Sequence, residues 1–176
     1  MIDMVEGPSV GIKSILCVST GGLGDVILFS PVFKALGTCY PGAEIELLVA
    51  SRLAERAFSP AKELNRVTYV NTNQRLVFLR MFPLLVFGLK SRLRVSGYDF
   101  GVFATGLNPY LEKVTKIFSD IKSVIRAPIP PQLPNDLTCN IHLARNFDSG
   151  ISEKDVFLPR IAEARSEAYG AVSYTH

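Results

Sequence analysis

A six-residue apolar run, Ser14-Ile-Leu-Cys-Val-Ser19, gives way to Gly21-Gly22-Leu23-Gly24-Asp25, and this junction constrains the fold more than anything else in the chain. A short, unbroken apolar run suits a strand buried on both faces, as in a parallel sheet. Glycines directly after it let the backbone turn sharply and approach a ligand closely. The helical pattern that follows, through Val32, Phe33 and Leu36, puts the loop at a helix N-terminus, with free N–H groups and a partial positive charge. Open α/β sheets bind ligands at such junctions, outside the carboxyl ends of their strands. A plain strand-to-helix turn, with Asp25 stabilised by the helix dipole, is the structural alternative.

The rest of the chain repeats the alternation. Residues 43–50 read as a second strand, 53–64 as a helix interrupted near Pro60, and 66–70 as a third strand. A helix is expected over 76–95, kinked or split at Pro83. A strand over 98–104, a helix over 109–120 and a strand over 123–126 follow, then an extended loop carrying Pro128, Pro130, Pro131 and Pro134. Weaker helical patterns cover 140–147 and 161–168. Short apolar strands alternating with helices predict an α/β, Rossmann-like parallel sheet with helices on both faces.

Length fits this reading. A chain of 176 residues, 48% hydrophobic, builds a core without staples, which excludes disorder and disulfide-dependent scaffolds. Three scattered cysteines have no metal-ligand spacing, so a reduced compartment and no metal site are expected. Residues 1–11 include Asp3 and Glu6 and no apolar run, so no translocation signal is expected and the protein is placed in the cytoplasm.

The net charge of +3 belongs to one segment. Arg75, Arg80, Lys90, Arg92 and Arg94 lie in a stretch without acids, leaving 14 basic against 16 acidic residues elsewhere. This stretch is also the most apolar in the chain. Arg80 and Pro83 break its 14-residue apolar core, too short for a span of about 20 residues. It reads either as a helix covering the sheet or, through residues 76–94, as a peripheral attachment to an anionic inner-membrane surface. No nucleic-acid partner is expected.

The loop departs from two familiar phosphate sites. A nucleoside-triphosphate loop ends in Gly-Lys-Ser/Thr, whereas Gly24 is followed by Asp25 and Val26. The dinucleotide fingerprint needs a third glycine where Ile27 stands, and an acid at the end of strand two where Ala50, Ser51 and Arg52 stand. Glu44 and Glu46 lie toward the other end of that strand. An acid beside a glycine loop repels phosphate. It fits better beside a neutral hydroxyl whose proton the carboxylate accepts, as a general base does.

Several segments together resemble glycosyltransferase family 9, which contains the ADP-heptose:lipopolysaccharide heptosyltransferases. They are Lys13-Ser-Ile-Leu-Cys-Val-Ser-Thr-Gly-Gly-Leu-Gly-Asp25-Val-Ile-Leu-Phe-Ser-Pro31, then Tyr40-Pro-Gly-Ala-Glu-Ile45, Tyr98-Asp-Phe-Gly-Val-Phe103 and Asn140-Ile-His-Leu-Ala-Arg-Asn-Phe-Asp-Ser-Gly-Ile151. The resemblance runs from about residue 13 to 159. It implies the acceptor-binding, N-terminal domain of a two-domain, GT-B-type inverting enzyme. Asp25 then matches the catalytic carboxylate, and Thr20, Gly21, Gly22 and Gly24 line the cleft with Asn108 and His142. The donor is a nucleotide-sugar, of ADP type, bound as a substrate by a C-terminal domain that is absent here, and no cofactor is implied. The acceptor is a glycolipid or lipid-linked saccharide.

On this division residues 1–12 are an N-terminal extension, 13–160 the acceptor domain and 161–176 the start of an interdomain linker. Ser19 stands where the heptosyltransferases commonly carry Arg, and Leu28 where one subgroup of them carries His. The plainer readings are Asn108 as the N-cap of the helix begun by Pro109 and His142 as an ordinary helix-face residue. A stand-alone nucleotide or dinucleotide module and a non-catalytic remnant are the alternative readings of the whole.

Overall fold

The computed structural model describes residues 11–70, 97–104, 120–126 and 136–157. The helices expected over 76–95 and 161–168, the proline loop, Asn108 and nearly all of the helix expected over 109–120 lie outside them.

Five parallel strands form one sheet in the order β3-β2-β1-β4-β5. They are β1 (Ser14–Ser19), β2 (Glu44–Val49), β3 (Arg66–Tyr69), β4 (Tyr98–Phe103) and β5 (Ile121–Arg126). The protein is α/β, as the alternation predicts. All six residues of β1 are buried, which explains why this run is unbroken by charge. Its alternate side chains serve two clusters. Ile15 and Cys17 join Ile45, Leu47, Val49, Phe100 and Val102 on one face. Leu16 and Val18 join Leu48, Tyr98, Phe103 and Ile121 in the other.

The described helices all pack into the first cluster: α1 (Leu23–Cys39), α2 (Arg52–Phe58) and α3 (Asp136–Arg145). The helices expected on the opposite face fall on residues outside the described set.

Three boundaries differ from the sequence reading. The second helix ends at Phe58, not near residue 64, because Pro60 has no N–H to continue the ladder. The chain instead turns through Ala61 N–H to Phe58 and Leu64 N–H to Ala61. The fifth strand starts two residues early, at Ile121, where it pairs with Tyr98 and brings Lys122 to Asp99. The last described helix starts at Asp136 rather than 140, its acid complementing the N-terminal dipole, and ends before Asn146 and Phe147.

Two polar residues of the Tyr98-Asp99 pair organise the lower edge of the sheet. Asp99 Oδ2 accepts the backbone N–H groups of Lys13 (2.8 Å) and Ser14 (3.1 Å), and Oδ1 accepts from Lys122 Nζ (2.7 Å). One carboxylate thus joins the entry to β1 with β5. The Tyr98 hydroxyl donates to Glu46 Oε2 (2.5 Å) and Thr68 donates to Oε1 (2.8 Å), so the buried carboxylate is satisfied at both oxygens. Glu46 lines a cavity of about 370 Å³ with Glu44, Ile45, Asn65, Arg66 and Tyr98, at the strand-entry edge and away from the glycine loop.

Lys122 first, and then the two backbone N–H groups, hold the Asp99 carboxyl down at about 2. Its unfolded counterpart titrates near ~3.9. Asp99 therefore contributes stability that is full above its unfolded pKa and is lost as pH falls through about 2. Asp99→Ala should cost about 2 kcal/mol at pH 7 and flatten this acid limb. Urea melts of both proteins between neutral and acidic pH measure it; an unchanged pH dependence would contradict the anchoring role.

Candidate functional site

The carboxyl ends of β1 and β4 meet where the strand order reverses, β1 leading outward through β2 and β3 and β4 leading the other way. Such a reversal opens a crevice above the sheet. The chain leaves β1 at Ser19, passes Thr20 and Gly21, and enters α1 with Gly22 as N-cap. Asp25 is the third residue of α1 and is exposed.

The Asp25 carboxylate folds back over the loop. The Gly22 N–H donates to its Oδ2 at 2.6 Å, a reciprocal turn that satisfies one of the helix's free donors. This explains one glycine directly. A Cβ on Gly21 would lie 2.1 Å from Asp25 Oδ2, so any side chain there displaces the carboxylate. Gly24 is different: a Cβ there meets nothing within 4 Å. The first glycine serves Asp25, and the last leaves open space beside it.

Ser19, the last residue of β1, is 1% exposed, and its hydroxyl has no hydrogen-bond partner among the described residues. Thr20 is half-buried between Ser19 and the exposed Gly21.

At the end of β2, the position of a dinucleotide enzyme's ribose-binding acid, the residues have other work. Ser51 Oγ caps α2 by accepting the Ala54 N–H (3.3 Å). The Arg52 guanidinium lies over the Tyr69 ring, 4.5 Å from its centre.

The structure brings Thr20, Gly21, Gly22, Gly24 and Asp25 together at one edge. It does not bring His142 to them. His142 is exposed in the last turn of α3. Phe147, just beyond that turn, packs on Tyr40 and Phe100 with ring centres 6.4 and 6.3 Å apart. Tyr40 follows the C-terminus of α1, so α3 ends toward the opposite side of the sheet from the loop. Asn108 lies outside the described residues. Among the described residues, no three His, Cys, Asp or Glu side chains converge as a metal site would require.

No protein-family model and no curated protein matches the chain by sequence. Solved structures do match its fold. The E. coli heptosyltransferase WaaC with ADP-2-deoxy-2-fluoro heptose aligns with a TM-score of 0.59 and 17% identity, covering 80% of this chain and 50% of that one. A glycosyl transferase of family 9 from Veillonella parvula gives 0.58 and 14%, covering 93% and 51%. The E. coli ADP-heptose lps heptosyltransferase II gives 0.56 and 14%, covering 92% and 51%. The chain thus has the fold found in about half of each of these glycosyltransferases, as the resemblance in its motifs implies.

The two glycines should respond oppositely to alanine. Gly21→Ala should lose about 1–2 kcal/mol, because it expels the carboxylate that closes the first turn. Gly24→Ala should gain up to about 1 kcal/mol, since the helix has room for the methyl and alanine favours helix. Paired denaturation curves test this, and equal losses at both positions would show that the open space beside Gly24 is not there.

Proposed function

We propose that this chain is the acceptor-side half of an inverting glycosyltransferase of the family 9, heptosyltransferase-like kind, with Asp25 as general base. One observation carries the reading: Asp25 stands exposed at the edge where the strand order reverses, held through one oxygen by the Gly22 N–H. The other oxygen, Oδ1, makes no hydrogen bond among the described residues and is free to accept one.

In this reading an acceptor hydroxyl seats against Oδ1, beside the open face of Gly24 and the backbone of Thr20 and Gly21. Its oxygen attacks the anomeric carbon of a nucleotide-sugar as its proton passes to Asp25. The bond from that carbon to the diphosphate breaks, and the nucleoside diphosphate departs with the electron pair. Attack opposite the leaving group inverts the anomeric configuration. The Gly22 N–H keeps the carboxylate from rotating away, so the base is oriented before the acceptor arrives.

The donor is an ADP-sugar, by analogy with the ADP-2-deoxy-2-fluoro heptose named with WaaC. The acceptor is a glycolipid or lipid-linked saccharide. The chain spans about half the length of the structures it matches, so nucleotide binding falls to a second, C-terminal domain. Residues 13–160 form the acceptor domain, with an extension before it and a linker after it. The Ser51 cap and the Arg52–Tyr69 stack count against a dinucleotide module, since they occupy its ribose-binding position.

Asp25→Asn, placed in a protein that includes the nucleotide-binding half, should lower kcat about 10²–10⁴-fold and leave the fold intact. Transfer kinetics with circular dichroism measure both, and full turnover in a folded Asp25→Asn protein refutes the assignment. Calorimetry with NAD(P) on this chain addresses the competing module: micromolar binding there would favour it.

A lipid-linked acceptor places the enzyme in the cytoplasm against the inner face of the membrane, with residues 76–94 as the point of attachment. No described helix is long and apolar enough to cross a membrane. Co-sedimentation should therefore rise with the anionic lipid content of liposomes and fall with salt. Binding indifferent to lipid charge would remove the attachment from the proposal.

A further inference from the structure

Helix α1 carries Pro31 in its interior, and the defect is repaired in an unusual way. Without an N–H, Pro31 leaves the Ile27 carbonyl lacking its helical donor. The Ser30 hydroxyl donates to that carbonyl at 2.6 Å, and Ser30 is itself 2% exposed. The same hydroxyl oxygen accepts the backbone N–H of Phe157, 127 positions away, at 2.7 Å. A three-member chain results: Phe157 N–H to Ser30 Oγ, and Ser30 O–H to Ile27.

The segment Ser152–Phe157 is held at several other points. Its short 3-10 helix, Glu153–Asp155, is closed by Asp155 Oδ2 accepting the Ser152 N–H (2.8 Å). Asp155 Oδ1 pairs with Lys34 on α1. The Phe157 ring packs against Phe58 with centres 5.1 Å apart, and Ile151, just before the segment, is 3% exposed. Asp155 lies against Lys34, and Phe157 against Ser30, one turn nearer the helix N-terminus. The segment therefore runs antiparallel to α1, toward the end that carries Asp25. Ser30 and Asp25 are five residues apart on one helix, about 7.5 Å along its axis.

We propose that Ser30 and Lys34 are positioning residues that latch Ser152–Phe157 antiparallel along α1, with Phe157 nearer the Asp25 end of the helix than Asp155. The latch depends on no particular reaction. Burial makes the Ser30 end the stronger of the two. A hydrogen bond to a buried hydroxyl has no water to replace it, whereas the Lys34–Asp155 pair, exposed at its lysine, competes with solvent.

Residue-resolved amide hydrogen exchange on the full 176-residue chain tests the latch. In the unmodified protein the Phe157 amide should be protected, although it lies outside the sheet and the helices. Ser30→Ala should lower its protection tenfold or more relative to the amides of β1. Lys34→Met, an exposed substitution that leaves the core intact, should lower it severalfold, again with β1 unchanged. A Phe157 amide that is unprotected in the original chain overturns the proposal. So does Phe157 protection that moves only in step with β1 in both variants. Because no substrate enters the experiment, its result is separate from the fate of the glycosyl-transfer reading.

Discussion

Every strand of the sheet takes its place from β1, which has no exposed residue and parallel neighbours on both sides. A strand in that position has no tolerance for charge on either face, so its composition is fixed from within. Its two ends are anchored differently. At the entry, the Asp99 carboxylate takes both the Lys13 and Ser14 N–H groups, so that a residue from β4 sets where β1 begins. At the exit, glycines release the chain into α1, because any side chain at Gly21 would collide with Asp25. Polar anchoring at one end and enforced turning at the other leave the apolar middle free to pack into the clusters on both faces of the sheet.

The loop at that exit is compact because one acid performs a structural task within it. The helix N-terminus presents unsatisfied N–H groups, and Asp25 folds back to meet one of them. This sorts the three glycines by physical role. Gly21 makes room for the carboxylate, Gly22 donates to it, and Gly24 borders space that nothing in the described chain fills. A turn needing no ligand would require the first two. The third is where the local packing stops accounting for the sequence.

Much of this was legible beforehand, and the reasons are particular. β1 and α1 were readable because an unbroken apolar run and a 3.6-residue pattern meet at glycines, a junction with few alternatives. Such alternation gives parallel pairing but not the strand order, since more than one order satisfies it. The ends of α2, β5 and α3 were not readable from periodicity. A proline two residues past the end, a lysine–aspartate contact from the neighbouring strand and an acidic first turn decided them, and two of these are local signals that the apolar pattern outweighed. Asp99 carries no signal in the sequence, because its backbone partners lie 85 and 86 positions away. Ser30 carries none for the same reason, since its bond to Phe157 spans 127 positions. His142 is exposed in the last turn of α3, where its helix ends toward Tyr40 at the other end of α1 from the loop. At the site, what sequence could single out was Asp25 and its glycines, because all of their contacts are local.

The local character of that contact also bears on what the edge can bind. A helix N-terminus beside a glycine loop ordinarily attracts phosphate, through free N–H groups and the positive end of the dipole. Here an anion is already supplied by the chain: Asp25 takes the Gly22 N–H and places a negative charge over the same helix end. A diphosphate approaching this loop would meet repulsion and one donor fewer. A neutral hydroxyl would meet an oriented acceptor. The loop is thus matched to an uncharged hydroxyl rather than to phosphate, which would need donors from elsewhere.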